Sequence, residues 1–307
     1  MAYSCQAYPV SCQWIVNDGG FNNPSFRRPM QGDAGNCSFM AALSSVAWVT
    51  DKILQNPGSK VVGGVRTWSL PYYTKKIGTY YDVPEKFWLD SRASPYLKFG
   101  RSSEVSEIWP AVYEKGYAIY LQRDSCLLNN WGWPGNPCAP LANLSGWSAS
   151  CFSTLINKDA NPDSIFNTLA SMCNGTPGNG QKTKRPMVGT TRSLPDFTLD
   201  PPGTNQVLAD HAYSILGVFC TVRDTVCVDK YIVMRNPLGT KVQGTQNPDA
   251  LLEGGWGQSV QDYLYTPSGS AISGKGSVHP IQFNANIGIF ALKVNKFRDY
   301  FNAYYWV

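Results

Sequence analysis

The sequence predicts an α+β fold in which a helical first part precedes a strand-rich second part. Residues 38–55 are rich in alanine and larger apolar residues, and the triplet Asn56-Pro57-Gly58 ends them, which predicts a helix. Residues 212–220 and 230–234 are apolar runs with β-branched and aromatic residues, which predict two paired strands. A chain of 307 residues is long enough for one large core or for two lobes.

Other segments fit this order of elements. A helix is predicted to begin near Ser103, because a polar capping residue is followed by apolar residues at helical spacing. Pro110 falls inside that pattern, and it fits a helix only in the first turn. A further helix is predicted over residues 162–173, which open on a proline. Residues 287–294 predict a strand, followed by a short helix over residues 296–304.

The division between the two parts is predicted near residue 145. Residues 125–146 are rich in Gly, Pro, Asn and Trp, a composition typical of a linker. We therefore expect a helical lobe over residues 1–145 and a β-rich lobe over residues 146–307. A functional site in the cleft between two such lobes is a common arrangement.

Charge and hydropathy argue against two classes of partner. Charged residues make up 15% of the chain, below the usual ~25%, and the net charge of +5 is spread along it. The densest basic stretch, residues 182–185, lacks the interleaved aromatic residues of a nucleic-acid groove. No run approaches the roughly 20 apolar residues that span a bilayer. We expect neither nucleic acid nor a membrane as a partner, and we expect a monomer.

The nine cysteines bear on the compartment of the protein. If one of them is a free nucleophile, the other eight could form four disulfides in an oxidising environment. Proximity along the chain suggests local pairs, although eight cysteines allow 105 pairings. These pairs are Cys5–Cys12, Cys126–Cys138, Cys151–Cys173 and Cys220–Cys227. The disulfides favour secretion over the cytoplasm, and without a signal peptide the chain would be a mature form with an added Met1.

Two further sequence features concern the compartment of the protein and the role of its cysteines. Asn-x-Ser/Thr sequons at Asn143 and Asn174 are compatible with secretion. A zinc site is not predicted, because the chain has no Cys-x-x-Cys pair and contains two histidines.

Cys37 has the surroundings of a sulfur nucleophile. The loop Gln31-Gly32-Asp33-Ala34-Gly35-Asn36 leads directly into the predicted helix, so Cys37 lies at the helix N-terminus. There the helix dipole favours the reactive thiolate by about 0.3–1 kcal/mol. Gln31 lies in that loop, and its side-chain amide could donate to the oxyanion of an acyl-transfer reaction. On its own, a cysteine is more often a buried structural thiol or half of a disulfide.

His211 and Asn236 could supply the base and its orienting partner. His211 lies at the start of a predicted strand, in Asp-His-Ala-Tyr-Ser, whereas His279 lies in a loop. Asn236 ends the partner strand, in Arg-Asn-Pro-Leu-Gly, where its amide oxygen could accept from an imidazole N–H. On its own, His211 would be a structural histidine, and Asn236 would be a turn residue, since Asn-Pro-x-Gly predicts a turn in any case.

Taken together and in this order, the three motifs resemble those of the calpain cysteine peptidase family. The motifs are Gln-Gly-x-x-Gly-x-Cys, His-Ala-Tyr-Ser and Arg-Asn-Pro-x-Gly. Supporting similarity in residues 108–118, 143–147 and 288–301 extends the resemblance over most of residues 25–302. It implies a papain-like two-lobe cysteine peptidase fold, with a helical N-terminal lobe, a β-rich C-terminal lobe and the active site in the cleft.

The resemblance also implies roles for individual residues. Cys37 would be the nucleophile, His211 the base and Asn236 the residue that orients the base. Gln31 would donate to the oxyanion together with the backbone N–H of Cys37.

The sequence departs from the family at three kinds of position. Ser38 and Leu238 stand where the family has tryptophan, and Asn36 stands where it has aspartate. The family core also assembles through calcium bound at acidic loops. After the asparagine motif this chain offers only Asn247, Asp249 and Glu253 before a glycine-rich stretch, so calcium is a possible cofactor and no other is expected.

The sequence therefore predicts a cysteine endopeptidase that hydrolyses a protein or peptide substrate through a thioester acyl-enzyme. Two alternatives stay open. An acyl-transferring ligase or transglutaminase would use the same triad with an amine in place of water. A catalytically silent peptide-binding protein of the same fold would account for the changes at Ser38 and Leu238.

Overall fold

The structure is a computed structural model, and part of the chain can be described from it. The described residues are 21, 24–50, 52–53, 57–85, 87, 97, 99–103, 107–122, 133–147, 150–175, 180–193, 207–239, 250–251, 253–255, 282–284 and 288–307. Several residues on which predictions were made lie outside them: Cys5, Cys12, Cys126, Asn247, Asp249 and His279.

The described residues form an α+β fold with five helices and fifteen strands. The helices are α1 (Cys37–Val49), α2 (Trp109–Tyr120), α3 (Cys138–Ser145), α4 (Pro162–Ser171) and α5 (Val294–Tyr300). Within the described ranges, the helices are all too short or too polar to cross a membrane.

Of the described strands, five precede α3 in the chain and ten follow it. Those before α3 are β1 (Pro29–Met30), β2 (Ser59–Val62), β3 (Val65–Thr74), β4 (Ile77–Pro84) and β5 (Arg101–Ser102). Those after α3 are β6 (Phe152–Leu155), β7 (Cys173–Asn174), β8 (Gln181–Thr191), β9 (Ala212–Arg223), β10 (Val226–Arg235), β11 (Ala250–Leu251), β12 (Glu253–Gly255), β13 (Gln282–Asn284), β14 (Ile289–Lys293) and β15 (Phe301–Trp306).

One large sheet is built entirely from the strands that follow α3. Its strand order is β12-β13-β14-β10-β9-β8-β15-β6, with β11 paired to β14 and β7 paired to β8. The described strands of this sheet pair in antiparallel fashion, with β9 at its centre between β8 and β10. The earlier strands form a three-stranded sheet, β2-β3-β4, and a two-stranded pair, β1-β5.

The large sheet separates two hydrophobic clusters. Neighbouring residues of β10 point to opposite faces, so Val233 joins one cluster and Ile232 joins the other. The cluster that contains Val233, on the front face, also contains residues of α1, α2 and β3. They include Phe39, Leu43, Trp48, Leu70, Trp109 and Tyr117. The cluster that contains Ile232, on the back face, also contains residues of α4 and α5, including Phe166, Leu169, Phe297 and Tyr300. Helix α1 is buried from Ser38 to Trp48, which explains why apolar residues occur on all of its sides.

Most predicted elements are confirmed, with changed ends. Helix α1 stops at Val49, well short of residue 55, because Thr50 is extended (φ −138°, ψ 144°). Helix α2 begins at Trp109 and not near Ser103, and this start places Pro110 in the first turn, where proline is tolerated. Strands β9, β10 and β14 and helix α4 form where they were predicted.

Two predictions about local structure are corrected, and one sheet was not predicted. Residues 138–145 of the expected linker form helix α3, which the count of Gly, Pro and Asn did not suggest. The predicted helix over residues 296–304 ends at Tyr300, and the chain continues directly into strand β15. The sheet over residues 59–84 was not predicted, because β2 is exposed throughout and therefore shows no alternation of polar and apolar residues.

Two disulfides are present among the described cysteines. Cys220–Cys227 confirms the predicted clip in the β9–β10 hairpin. Cys138 pairs with Cys151, so the predicted pairs Cys126–Cys138 and Cys151–Cys173 are wrong. The fold brings the start of α3 against the start of β6, with the two Cα atoms 5.4 Å apart, and this outweighs proximity along the chain. Cys173 is a buried free thiol whose pKa is raised to about 12 by burial.

Candidate active site

Cys37 is the first residue of helix α1, as the sequence predicts. It is half-buried and is a free thiol. The backbone N–H of Ala212 donates to its sulfur, and Ala212 directly follows His211 in the chain. The helix N-terminus that carries Cys37 and the strand start that carries His211 therefore meet.

Helix α1 is held along strand β9 by contacts at three levels. At its first residue, the Cys37 sulfur accepts from the Ala212 N–H. One turn later, the Ser214 hydroxyl donates to the Ala41 carbonyl at 2.7 Å. Near its end, Trp48 Nε1 donates to the Leu216 carbonyl at 2.7 Å. Since these bonds join one side of the helix to alternate positions of the strand, they fix the register between the two elements.

His211 is anchored through its backbone at the start of β9. Its N–H donates to the Thr191 hydroxyl at 2.9 Å, and its carbonyl accepts from the Thr191 N–H at 2.9 Å. Asp210, just before it, has φ 49°, a left-handed conformation that sets the chain direction entering the strand. The imidazole packs edge-on against the Tyr213 ring, with centroids 5.0 Å apart. Burial lowers the pKa of His211 to about 4, against a smaller raising effect of its bond to Asn236.

Asn236 lies where β10 ends, and its side chain reaches His211. Its Oδ1 lies 3.0 Å from His211 Nε2 and also accepts from the Leu238 N–H at 3.0 Å. A backbone N–H can only donate, so the atom of Asn236 that faces both partners is the oxygen. His211 Nε2 must then carry the proton, which leaves Nδ1 as the unprotonated nitrogen of the neutral ring.

The backbone of Asn236 is also fixed. Its N–H donates to the Gly288 carbonyl at 2.8 Å. Gly288 has φ 76°, and a Cβ there would lie 2.6 Å from the Asn236 carbonyl oxygen. Glycine is therefore required beside Asn236, both for the backbone conformation and for the close approach.

The Cys37 thiol is influenced by opposing effects. Burial raises its pKa above the ordinary value, and hydrogen bonds from the N–H groups of Ala212 and Ser38 lower it. Burial disfavours the charged form of both Cys37 and His211. The resting pair is therefore a neutral thiol and a neutral imidazole.

Gln31 connects the nucleophile loop to the Asn236 turn. Its backbone N–H donates to the Pro237 carbonyl at 2.8 Å. Its side-chain Nε2 donates to the Ala34 carbonyl at 2.7 Å, and its Oε1 has no partner among the described residues. A primary amide has two N–H groups, so one remains for an oxyanion when the other is bonded to Ala34.

Two buried residues of the site were not predicted to act in it, Arg235 and Glu114. Arg235 is fully buried and donates to the Ser44 hydroxyl at 2.9 Å and to the carbonyls of Arg27 and Pro29 at 2.7 and 2.6 Å. Burial lowers its pKa to about 9, so it stays charged at neutral pH. A charged residue at the end of the apolar run 231–234 is the sequence signal that could have identified it.

Glu114 lies on helix α2 behind the nucleophile and is also fully buried. Its Oε1 accepts from Asn36 Nδ2, and its Oε2 accepts from the Gly100 N–H at 2.8 Å. Burial raises the pKa of this carboxyl group to about 7.

The two departures from the tryptophan motifs have defined contacts. The Ser38 hydroxyl donates to the Gly135 carbonyl at 2.8 Å, which ties the segment before α3 to the residue after the nucleophile. Leu238 is half-buried, and its N–H supplies the second donor to Asn236 Oδ1. Both replacements therefore leave the contacts of Cys37 and Asn236 described above intact.

The possible calcium site concerns the segment that follows the Asn236 turn. In the described ranges, no three His, Cys, Asp or Glu side chains lie close enough together to hold a metal ion. Asn247 and Asp249 lie outside those ranges, as does the Glu253 side chain.

The arrangement contains the kinds of group that acyl-transfer chemistry requires. It places a free thiol at a helix N-terminus, beside the backbone of a histidine whose tautomer is fixed by an asparagine. In acyl-transfer enzymes a thiol, an imidazole and an amide of this kind act as nucleophile, base and orienting group, and N–H groups at a helix start can donate to an oxyanion.

The sequence is similar to a known peptidase. No protein-family model matches it. It is 27% identical, over 287 aligned residues, to a protein named thiol protease from Porphyromonas gingivalis (strain ATCC BAA-308 / W83). The match covers 89% of this chain and 53% of that protein, so the chain spans about half the length of this relative. The similarity supports a cysteine peptidase.

Proposed function

We propose that the chain is a calpain-like cysteine endopeptidase with a Cys37–His211–Asn236 triad and Gln31 as an oxyanion donor. The proposed fold is papain-like, with a helical lobe over residues 1–145, a β-rich lobe over residues 146–307 and the active site in the cleft between them. The division of the sheets supports this, since the large sheet uses only strands that follow α3. So does the meeting of the α1 N-terminus with the start of β9.

The proposed reaction begins with attack by the Cys37 sulfur on a peptide carbonyl carbon. His211 Nδ1 takes the thiol proton as the C–S bond forms, and the carbonyl oxygen becomes an oxyanion. The N–H of Cys37 and one Nε2–H of Gln31 donate to that oxyanion. The C–N bond then breaks, the imidazolium gives its proton to the leaving amine, and a thioester remains on Cys37.

Hydrolysis of the thioester repeats these steps with water. His211 Nδ1 takes a proton from the water as its oxygen attacks the thioester carbon. The C–S bond breaks, the carboxylic acid product leaves, and the sulfur regains its proton from His211. Asn236 accepts from Nε2–H throughout, which keeps Nδ1 directed at the reacting atoms.

One observation supports the proposal more than any other, the double acceptance by Asn236 Oδ1. A turn asparagine would need only the bond from the Leu238 N–H. The same oxygen also lies 3.0 Å from the imidazole, so the side chain serves the ring as well as the turn. A histidine that is buried, neutral and held in one tautomer is prepared to act as a base.

Two observations argue against a catalytically silent peptide-binding protein. The Cys37 sulfur is a free thiol, and His211 and Asn236 are hydrogen-bonded to each other. An acyl-transferring enzyme remains distinguishable by its products. Hydrolysis would give a free carboxylate, whereas transfer would join the acyl group to an added amine, and mass spectrometry separates the two.

The test is the replacement of each free cysteine in turn. Cys37→Ala should lower cleavage of a denatured protein substrate by at least about 10³-fold, because nucleophile and base act as a unit. Cys173→Ala removes the other described free thiol and should retain cleavage. A thiol-directed epoxide should add its mass to the wild-type protein at Cys37. Cleavage by Cys37→Ala at the wild-type rate would show that the assignment is wrong.

The wider setting of the protein is part of the proposal. We expect a protein or peptide as the substrate and a monomer as the working form. Two disulfides support an oxidising compartment, such as the extracellular space. The sequon at Asn143 adds no support, because its amide donates to the Tyr73 carbonyl at 2.7 Å and accepts from the Tyr117 hydroxyl.

A further inference from the structure

Asn36 occupies the N-cap of helix α1 but does not cap it. Asparagine is among the best N-cap residues, because its side-chain oxygen accepts from the second or third helical N–H. In this chain the side chain is 1% exposed and its Nδ2 donates to Glu114. Its Oδ1 is buried and has no partner among the described residues. A strong capping side chain is therefore turned away from the helix that it precedes.

Glu114 holds Asn36 in that orientation. Its two oxygens accept from different directions, one from Asn36 Nδ2 and the other from the Gly100 N–H at 2.8 Å. A Cβ at Gly100 would lie 2.9 Å from the Glu114 carboxyl carbon, so the lack of a side chain at Gly100 lets its backbone come close to this group. The carboxyl group is thus fixed between the nucleophile loop and the segment before β5.

One of the N–H groups that Asn36 does not bind donates to the nucleophile instead. Because Cys37 is the first helical residue, Ser38 and Phe39 carry the N–H groups that an N-cap side chain ordinarily binds. The Ser38 N–H donates to the Cys37 sulfur instead. An Asn36 oxygen in the capping position would compete for that same amide.

Stability alone does not account for Glu114. A carboxyl group without exposure to water is destabilising, and burial raises its pKa to about 7. The missing side-chain cap is a second loss of stability. Two unfavourable features that meet at the residue before the nucleophile indicate a functional constraint.

We propose that Glu114 is a positioning residue: by binding the Asn36 side chain it prevents Asn36 from capping α1 and leaves the Ser38 amide to the Cys37 sulfur. The inference rests on the proposed function, in which this sulfur becomes a thiolate as it attacks. Glu114 acts through Asn36 and not by contact with the reacting atoms.

The test compares Glu114→Ala with Glu114→Ala combined with Asn36→Ala. In the single variant, Asn36 is free to cap the helix, so the rate of Cys37 alkylation by iodoacetamide at pH 7 should fall about tenfold. The kcat for a peptide substrate should fall by a similar factor, with KM within about twofold. The double variant should recover to within about threefold of the wild type, because no side chain then competes for the Ser38 amide.

This recovery separates positioning from a structural role. If Glu114 only supported the fold, removal of a second buried side chain would add to the damage. A double variant as slow as Glu114→Ala, or slower, would overturn the proposal, and so would wild-type rates in the single variant. Glu114→Leu fills a similar volume and replaces Glu114→Ala if that variant does not fold.

Glu107→Ala is the matched control. Glu107 is also a buried carboxyl group, and it accepts from the Ser102 hydroxyl at 3.1 Å. Its removal should lower stability but leave the alkylation rate of Cys37 within about twofold of the wild type. Alkylation does not require peptidase activity, so a wild-type protein that cleaves no substrate would refute the proposed function while this test still gives its answer.

Discussion

The two sides of the proposed site are held by different kinds of interaction. His211 and Asn236 lie at the ends of neighbouring antiparallel strands, and backbone hydrogen bonds fix both. Cys37 follows a loop that is positioned by buried polar side chains, those of Asn36, Glu114 and Arg235. Because a strand ladder does not depend on side-chain identity, the nucleophile side should be the more sensitive to substitution of the polar residues around it.

The largest expected effect is at Arg235, the last residue of β10, whose guanidinium binds Ser44 of α1 and the carbonyls of Arg27 and Pro29 before the nucleophile loop. Replacement of Arg235 by Met should lower the free energy of unfolding by about 3–5 kcal/mol, because two buried acceptors and one part-buried acceptor lose their donor. Urea denaturation at pH 7 measures this change. Arg223→Met, at an exposed position of β9, is the control and should stay within about 0.5 kcal/mol of the wild type. A loss below about 1 kcal/mol for Arg235→Met would contradict the importance of buried side chains on the nucleophile side.

His211 on the strand side and Glu114 on the nucleophile side should change the stability in opposite directions over the same range of pH. The pKa of His211 falls from 6.5 to about 4, so the unfolded chain binds more protons and stability is lost as pH decreases from 6.5 toward 4. The pKa of Glu114 rises from 4.5 to about 7, so the folded chain binds more protons and stability is lost as pH increases from 4.5 toward 7. Each shift corresponds to about 3 kcal/mol.

Two variants test these opposite slopes. His211→Gln should lack the decrease in unfolding free energy that His211 causes below pH 6.5. The difference in unfolding free energy between this variant and the wild type should therefore change by about 3 kcal/mol between pH 7 and pH 4. In Glu114→Gln, the difference should change with the opposite sign over the same interval. Urea denaturation at four pH values gives both curves. Parallel curves for the wild type and either variant would show that the residue does not titrate as proposed.

The sequence predicted the strand side of the site more completely than the nucleophile side. His211 and Asn236 could be placed from paired apolar strands and a turn motif, since local patterns specify a hairpin. Cys37 could be placed at a helix start, but the contacts behind it could not. Glu114 is 78 residues from Asn36, and no local pattern encodes a contact at that separation.

The same limit explains the errors in the fold. The pair Cys138–Cys151 joins two elements that only the tertiary structure brings together, whereas Cys220–Cys227 lies within one hairpin and was predicted. The start of α2 was placed too early because Ser103 has a capping side chain, although Pro110 fixes the first turn. Short-range chemistry thus predicted the elements, and long-range packing decided which residues support the site.

A smaller effect is expected on activity from the orienting residue of the strand side. Asn236→Ala should lower kcat on the order of 10–100-fold, because His211 Nε2–H loses its acceptor and the ring loses its preferred tautomer. Asn236→Asp retains an acceptor for the Leu238 N–H and for His211, and its charge should raise the pKa of His211. As the pH is lowered, the activity of Asn236→Asp should therefore begin to fall at a higher pH than the activity of the wild type. A pH–rate profile of kcat for the three proteins measures both effects, and equal kcat in Asn236→Ala would remove Asn236 from the triad.

The smallest expected difference is between the two disulfides. Their sequence separations are 13 and 7 residues, and the loop-entropy model gives a difference in stabilisation of about 0.5 kcal/mol in favour of Cys138–Cys151. Double serine variants at each pair, compared by urea denaturation, measure this difference.

Activity should separate the two bridges more clearly than stability does. Cys138 begins the helix that follows Gly135, and the Gly135 carbonyl binds the Ser38 hydroxyl beside the nucleophile. Loss of Cys138–Cys151 should therefore lower kcat several-fold, since this segment is positioned by side chains. Loss of Cys220–Cys227 should leave kcat within about twofold of the wild type, because strand pairing with β8 and β14 still holds β9 and β10. Equal losses of kcat in the two variants would mean that the strand side depends on its side chains as much as the nucleophile side does.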